Sequence, residues 1–288
     1  MTAKPQRAAT PHLQLVPSPQ RRYSLLALWH LLSLDAPTVA AIWTIFVAHS
    51  VHLHLPWTAP VSMFVAVWML YAADRLLDAR ISPRDELEPR HHFHHKHRVA
   101  FLTSIVIATI VLFCLLPLLL PAALRICALL AIPLVTYMFL IHVGAPGSVR
   151  LPKELAVGLF FPAAVFIPTV ARVPTLRLAL LPEALLFAAV CTLNCLYVYA
   201  WEHKPPYSQA HWTSKFAMKR LPWITGIAAM ASLTLFALRH SPVSGAACIS
   251  ALLLAVLHLS RNRISQTHLR AAADCALLTP VLFPALWR

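Results

Sequence analysis

Charged residues are scarce in this chain, and acidic residues are the scarcest. Of its 288 residues, 59% are hydrophobic and 12% are charged, with 10 Asp and Glu against 24 Lys and Arg. About a quarter of the residues of a soluble domain are charged, so this composition excludes an ordinary soluble protein and indicates a membrane protein. A net charge of +14 would suggest nucleic-acid binding in a soluble protein. Here the basic residues lie between apolar runs, and membrane topology is the simpler explanation.

Glycine is also rare, with 5 residues in the whole chain, and the 6 cysteines include no Cys-x-x-Cys pair. The cysteines all lie in apolar segments, so we interpret them as small buried side chains and not as disulfides or metal ligands. Residues 1–22 contain basic residues but no short apolar core with a cleavage site, so we predict no removable signal peptide. We interpret residues 1–23 as a basic, disordered cytoplasmic N-terminus.

Long apolar runs dominate the rest of the chain. A membrane helix needs about 20 mostly apolar residues, and nine runs approach this length: residues 24–50, 57–78, 99–120, 122–142, 153–171, 180–201, 221–239, 243–260 and 270–287. With the N-terminus in the cytoplasm, 18 of the 24 Lys and Arg fall on the cytoplasmic side and 5 on the outer side. This asymmetry favours one domain, 24–288, an all-α integral membrane bundle of about nine helices with its C-terminus outside.

Two aspartates end the second run, in the sequence Tyr71-Ala-Ala-Asp74-Arg75-Leu-Leu-Asp78. Residues four apart share one face of a helix, and two carboxylates there repel unless a cation lies between them. Mg²⁺ takes one or two carboxylates together with substrate phosphate oxygens, so the pair suits a magnesium site. The alternative is that Arg75, Arg80 and neighbouring bases neutralise the aspartates at the membrane surface.

Further polar residues fall at the cytoplasmic ends of later helices. The fifth run opens with Lys153-Glu154. The other candidates lie in the sixth and ninth runs or directly after the sixth, and are Asn194, Tyr197, Tyr199, Trp201, Glu202, Arg270 and Asp274. Because Asn194 and Asp274 lie within apolar segments and not beyond them, we predict a polar cavity that opens to the cytoplasm. Ordinary polar loop residues are the alternative.

Asp35 lies about eleven residues into the first run, or about 16 Å deep at the helical rise of 1.5 Å per residue. An ionisable residue at such depth should face the bundle interior or a water-filled cavity. His30 and Asp35 are therefore candidates for deeper members of the same cavity, with Pro37 bending the helix beside them. A protonated Asp35 hydrogen-bonded to a neighbouring helix is the other interpretation.

A histidine run, Arg90-His91-His92-Phe93-His94-His95-Lys96-His97-Arg98, follows the second helix. On a helix, His91, His94, His95 and Arg98 would form one stripe, and imidazole commonly binds transition metals. The interrupting Lys and Arg oppose metal binding, so we favour a basic interfacial segment that meets anionic headgroups or phosphate.

Asp74-Arg75-Leu76-Leu77-Asp78, followed by a basic loop, resembles the UbiA superfamily of intramembrane prenyltransferases. The family motif is commonly Asn-Asp-x-x-Asp-Arg-x-x-Asp, and Lys153 with Val157-Gly158 also resembles the family's fifth helix. The resemblance implies nine helices, magnesium held by aspartates against an isoprenyl diphosphate, and a lipophilic acceptor such as an aromatic molecule. Leu70 and Tyr71 replace the first Asn and Asp, and the second Asp-rich motif is reduced to Glu202.

The resemblance implies a prenyltransferase in which Asp74 and Asp78 bind Mg²⁺ and Asn194 and Glu202 complete the opposite side. Lys153, with Arg84 or Arg90, would hold phosphate oxygens. Aromatic residues Tyr197, Tyr199 and Trp201 would shield a prenyl cation, and Arg75, Arg270 and Asp274 are further candidates for substrate contact. Two alternatives remain open: a transporter or metal-handling protein using Asp35, Asp274 and the histidines, or a UbiA-like scaffold that binds lipid without turnover.

Overall fold

The computed structural model describes residues 24–81, 89–143, 153–203, 205, 207 and 211–284. All regular elements in this part are helical. Thirteen α-helices follow in order: α1 Leu25–Leu31, α2 Asp35–Ser50, α3 Thr58–Ile81, α4 Pro89–Lys96, α5 Arg98–Leu115, α6 Pro121–Val143, α7 Lys153–Arg172, α8 Leu176–Ala179, α9 Leu181–Glu202, α10 Trp212–Lys219, α11 Leu221–Arg239, α12 Pro242–Ser260 and α13 Gln266–Cys275. The predicted N-terminal segment, 1–23, lies outside the described residues.

Seven of these helices are long and apolar enough to cross a membrane: α3, α5, α6, α7, α9, α11 and α12. They coincide with seven of the nine predicted runs, because uninterrupted apolar stretches of this length satisfy their backbone only as helices in lipid. The prediction of an all-α membrane bundle is therefore confirmed at this level. Nine membrane helices are not confirmed, because the first and last runs differ from the prediction.

The first run is broken between α1 and α2, which meet at an angle of 89°. Ser33 at the break has a left-handed backbone, with φ of 59°. Proline lacks an amide hydrogen and its ring clashes with the carbonyl four residues earlier, so Pro37 prevents one helix from continuing through Ser33. If the bent pair counts as one span, the described residues contain eight candidate spans.

The last run begins as α13 and continues as a short 3-10 turn, Thr279–Leu282. Pro280 disfavours helical geometry at the residue before it and cannot donate a backbone hydrogen bond, which accounts for the change. The non-helical part is held by side chains: Trp43 Nε1 donates to Leu277 O at 2.6 Å, and Thr279 Oγ1 donates to Ala246 O at 2.9 Å.

The core of the bundle lies among α2, α7, α9 and α12. Trp43 of α2 is fully buried and stacks on Phe187 of α9 with ring centroids 3.9 Å apart. In contrast, α5 and α6 lie at the periphery and leave Ile110, Phe113 and Phe139 exposed. Apolar surface of this kind is expected where helices face lipid. The polar residues considered next are therefore concentrated on the inner helices and at one end of the bundle.

Candidate functional site

Asp74 and Asp78 lie one turn apart on α3 and both contact the first residue of α7. Lys153 Nζ is 2.8 Å from Asp74 Oδ1 and 3.1 Å from Asp78 Oδ2. The side chains of Asp74, Asp78 and Lys153 are 20%, 30% and 43% exposed, so this group is open to solvent. A lysine ammonium thus supplies the positive charge that two adjacent carboxylates need. We call these three residues the α3–α7 site.

Arg75 lies on another side of α3, since consecutive residues on a helix are about 100° apart. Its side chain is buried, and Nη1 donates to His30 O at 2.7 Å while Nη2 donates to Asp35 Oδ2 at 3.3 Å. These contacts direct Arg75 towards α1 and α2. The base that neutralises Asp74 and Asp78, as the alternative to a magnesium site expects, is Lys153. Arg80, Arg84 and Arg90 have no described side chains.

A second polar group lies where α1, α2, α3, α9 and α13 meet, and all of its members are buried except Asp274, whose side chain is 21% exposed. Its members are His30, Asp35, Arg75, Asn194 and Asp274, and we call them the buried polar cluster. His30 Nδ1 is 2.5 Å from Asp35 Oδ2 and 3.9 Å from Asp274 Oδ2. Asn194 Nδ2 donates to Asp274 Oδ1 at 3.0 Å. The structure therefore brings Asn194 and Asp274 together with the deeper residues of the first run.

The helix break explains how two residues near the start of the chain reach one cluster. His30 lies at the end of α1 and Asp35 at the start of α2, so the turn between the helices folds both side chains inward. Asp35 Oδ1 also accepts the backbone N–H of Ala36 at 3.0 Å. The contact between Arg75 and Asp35 was not predicted from the sequence. The sequence did contain a signal for it: the predicted topology places 18 of the 24 Lys and Arg on the cytoplasmic side and 5 on the outer side, and Arg75 is the one that remains within a helix.

Glu202 does not contribute a free carboxylate to a second acidic cluster. Glu202 Oε1 is 2.8 Å from Arg270 Nε, with side-chain exposures of 13% and 15%. The prediction grouped these residues as parts of one cytoplasmic cavity, and the structure places them in contact across α9 and α13. Their charges offset each other in this partly buried position, which weakens the case for Glu202 as a cation ligand.

The three aromatic residues of α9 that were predicted to shield a prenyl cation contact neighbouring side chains in the structure. Tyr197 is buried, with its hydroxyl 2.8 Å from Thr225 Oγ1, and Trp201 Nε1 donates to His258 Nδ1 at 3.0 Å. Tyr199 stacks on His203 with ring centroids 4.0 Å apart. Tyr197 and Trp201 therefore tie α9 to α11 and α12, which is a packing role that the sequence did not indicate.

The histidine run forms α4 and packs on the break between α1 and α2. His94 is fully buried, its Nε2 is 3.1 Å from Ser33 Oγ, and its ring stacks on Phe101 at 4.1 Å. Lys96, His97 and Arg98 are exposed, which agrees with a basic interfacial segment. Among the described residues, the group of His, Cys, Asp or Glu that could hold a metal ion is His30, Asp35 and Asp274, without any residue of the run.

Comparison of the chain with protein-family models, with curated proteins and with solved structures finds no match.

Proposed function

We propose that the chain is an intramembrane prenyltransferase of the UbiA type, which binds an isoprenyl diphosphate with Mg²⁺ at the α3–α7 site. One observation carries the proposal: two carboxylates on one face of a membrane helix converge on a single cation. Lys153 Nζ is within 3.1 Å of an oxygen of each aspartate. This position is partly exposed at the end of the bundle, where a diphosphate headgroup could enter from water while its chain stays in lipid.

The donor set fits one magnesium ion. Mg²⁺ prefers carboxylate oxygens in combination with water and substrate phosphate oxygens, and Asp74 and Asp78 supply the carboxylates. Bound there, magnesium would supply positive charge for the departing diphosphate. Glu202 is paired with Arg270, so we assign no second cation to that pair.

Lys153 has two partners in this proposal. Without substrate its ammonium offsets the charges of Asp74 and Asp78, as in the structure. With substrate and magnesium bound, Asp74 and Asp78 would hold the metal and the Lys153 ammonium would turn to the phosphate oxygens. A flexible four-carbon stem allows this movement, and the charge of the site stays balanced in both states. The transferred group passes to a lipophilic acceptor.

We further propose that this end of the bundle is cytoplasmic and that the protein resides in the cell membrane. Lys153 begins α7, Lys219 ends α10 and Arg261 directly follows α12, while Arg270 pairs with Glu202 at the end of α9. Basic residues concentrate on the cytoplasmic side of membrane proteins, and a soluble diphosphate donor would be supplied from there.

Two observations favour other functions. The Glu202–Arg270 pair favours a UbiA-like scaffold that binds isoprenoid lipid without turnover, since the acidic group opposite Asp74 and Asp78 is already neutralised. The break between α1 and α2 favours a transporter, because broken helices often form transport sites. The experiment below separates these functions from the transferase.

The test is calorimetric titration of the purified protein with farnesyl diphosphate, with and without Mg²⁺. We expect magnesium-dependent binding that weakens at least about tenfold in Asp74→Asn and in Asp78→Asn, since each loses a charged ligand worth at least about 1.4 kcal/mol. Glu183→Gln is the matched control, because Glu183 lies at the opposite end of α9 and pairs with Arg239 at 3.7 Å.

Diphosphate release from labelled substrate then distinguishes the functions. Release in the wild type and its loss in the aspartate variants supports a transferase. Magnesium-dependent binding without release, with acceptors present, supports the scaffold. Binding that needs no magnesium and survives both substitutions contradicts the α3–α7 site altogether.

A further inference from the structure

The buried polar cluster is not used by the proposed prenyl transfer, yet it brings five polar or charged side chains together inside the bundle. His30 and Asp35 are 3% and 1% exposed. Three of its groups, the His30 imidazole and the carboxylates of Asp35 and Asp274, place one ligand atom each within 4.8 Å of one another. Burying groups of this kind is costly without a partner of opposite charge, and polar residues inside membrane bundles mark functional sites.

Asn194 adds an observation independent of the carboxylates. It is 7% exposed, and its Oδ1 has no hydrogen-bond partner, although Nδ2 of the same amide donates to Asp274. Buried amide oxygens are nearly always paired, so an unpaired one indicates a ligand that the site can accept. Because Nδ2 of the same amide donates to Asp274, this oxygen lies close to the Asp274 carboxylate, where a donor or a cation can satisfy it.

We propose that His30, Asp35, Asp274 and Asn194 form a binding site for a divalent transition metal ion such as Mn²⁺ or Zn²⁺. One imidazole nitrogen with carboxylate and amide oxygens suits Mn²⁺, Fe²⁺, Co²⁺ or Zn²⁺. Metal–ligand bonds of about 2.0–2.2 Å keep all ligand atoms within about 4.4 Å of each other. The mutual distances among the ligand atoms of His30, Asp35 and Asp274, which are at most 4.8 Å, therefore need only small adjustment.

The principal adjustment lies between His30 and Asp35. Their 2.5 Å contact has the length of a hydrogen bond, and ligand atoms on one metal are about 3 Å apart. The metal replaces the hydrogen at Nδ1, the imidazole carries its hydrogen on Nε2 instead, and any carboxyl proton leaves to water. The turn between α1 and α2 is short and non-helical, so it can accommodate a movement of about half an ångström between the two residues.

Arg75 limits the affinity of the buried polar cluster for a metal ion. Its guanidinium donates to Asp35 Oδ2 and to the His30 carbonyl, which orients two ligands in the way that outer contacts do at metal sites. The same positive charge repels a metal ion. We therefore expect a dissociation constant in the micromolar range, about −8 kcal/mol on the binding scale.

The site differs in chemistry from the α3–α7 site, where the metal ligands would be oxygen atoms. Nitrogen coordination by an imidazole therefore distinguishes binding at the buried polar cluster from binding at the α3–α7 site. The test is pulsed electron paramagnetic resonance of Mn²⁺ added to the full-length protein without a histidine tag. We expect the wild type to show nitrogen coupling from one imidazole, and Asp74→Asn/Asp78→Asn to retain it.

His30→Gln should lose the nitrogen coupling, whereas the exposed control His240→Gln should keep it. Asn194→Leu, which preserves size but removes the amide oxygen, should weaken Mn²⁺ binding about tenfold while the coupling persists at saturation. This variant also serves if His30→Gln does not fold. Absence of nitrogen coupling in the wild type overturns the proposal. Coupling that survives His30→Gln also overturns it, because it shows an adventitious ion on surface histidines only.

Discussion

At the scale of residues, two basic side chains on neighbouring helices differ in their exposure and therefore in how much they contribute to stability. Lys153 is 43% exposed and contacts two carboxylates, so solvent screens its ion pairs and each contributes little to stability. Arg75 is 7% exposed at its side chain and pairs with Asp35, which is 2% exposed. Removing one member of a buried pair leaves an uncompensated charge, so stability should depend on Arg75 far more than on Lys153.

Arg75→Met should therefore reduce the free energy of unfolding by about 3–5 kcal/mol. The double variant Arg75→Met/Asp35→Asn should recover a large part of this loss, because the uncompensated carboxylate is then gone. Thermal unfolding in detergent measures both effects. Arg177→Met, an exposed arginine at the other end of the bundle, should change stability by less than about 0.5 kcal/mol. Equal small effects at both positions would show that the Arg75–Asp35 pair is not a buried ion pair.

The sequence predicts where these charged residues lie along their helices, but it does not predict which residue each of them contacts. The depth of Asp35 follows from its place in an apolar run, and the shared face of Asp74 and Asp78 follows from their spacing. The partner of Asp35 does not follow from either. Arg75 belongs to the same short motif as the two aspartates, but the break between α1 and α2 decides where it points, because that break exposes the His30 carbonyl to its guanidinium.

At the scale of elements, the straight helices were predictable and the interrupted ones were not. An apolar run of 20 residues identifies a membrane helix by length alone. The runs that contain Pro37 and Pro280 have the required length but change direction or lose helical geometry. By contrast, α7 contains Pro162 and Pro168 and remains one helix. Whether a proline breaks a helix depends on partners for the freed backbone groups, and these come from other helices.

The partners at the α1–α2 break are identifiable. Trp68 Nε1 on α3 donates to Leu32 O at 3.1 Å, beside the Arg75 contact with His30 O. Trp68→Phe keeps an aromatic side chain but removes the N–H donor. The Leu32 carbonyl is then unsatisfied, which costs about 1–3 kcal/mol of stability.

We expect faster hydrogen exchange at the amides of α1 in this variant, measured by mass spectrometry. Trp223→Phe is the matched control, because Trp223 on α11 is 78% exposed. An α1 exchange rate equal to that of the wild type would mean that the indole does not hold the break.

At the scale of the whole molecule, the direction of the last segment determines the topology. α12 begins at Pro242 and ends at Ser260, and five residues separate it from α13, which begins at Gln266. From there the chain returns along α12, since Thr279 Oγ1 is 2.7 Å from Ser250 Oγ and donates to Ala246 O. These contacts lie in the first half of α12. Residues 266–284 therefore pass through the bundle from one end towards the other, although only α13 is an α-helix.

A reporter fused after Arg98 and one fused after Arg288 should therefore lie on opposite sides of the membrane, the first cytoplasmic and the second external. The first expectation rests on the basic residues around α4 and the start of α5. The second rests on the path of residues 266–284, which ends beside Gly245 near the start of α12, where the Phe283 ring lies. Paired alkaline phosphatase and green fluorescent protein fusions measure the two locations. Both reporters on one side would show that the last segment turns back within the membrane, and the crossing inferred from its contacts with α12 would be wrong.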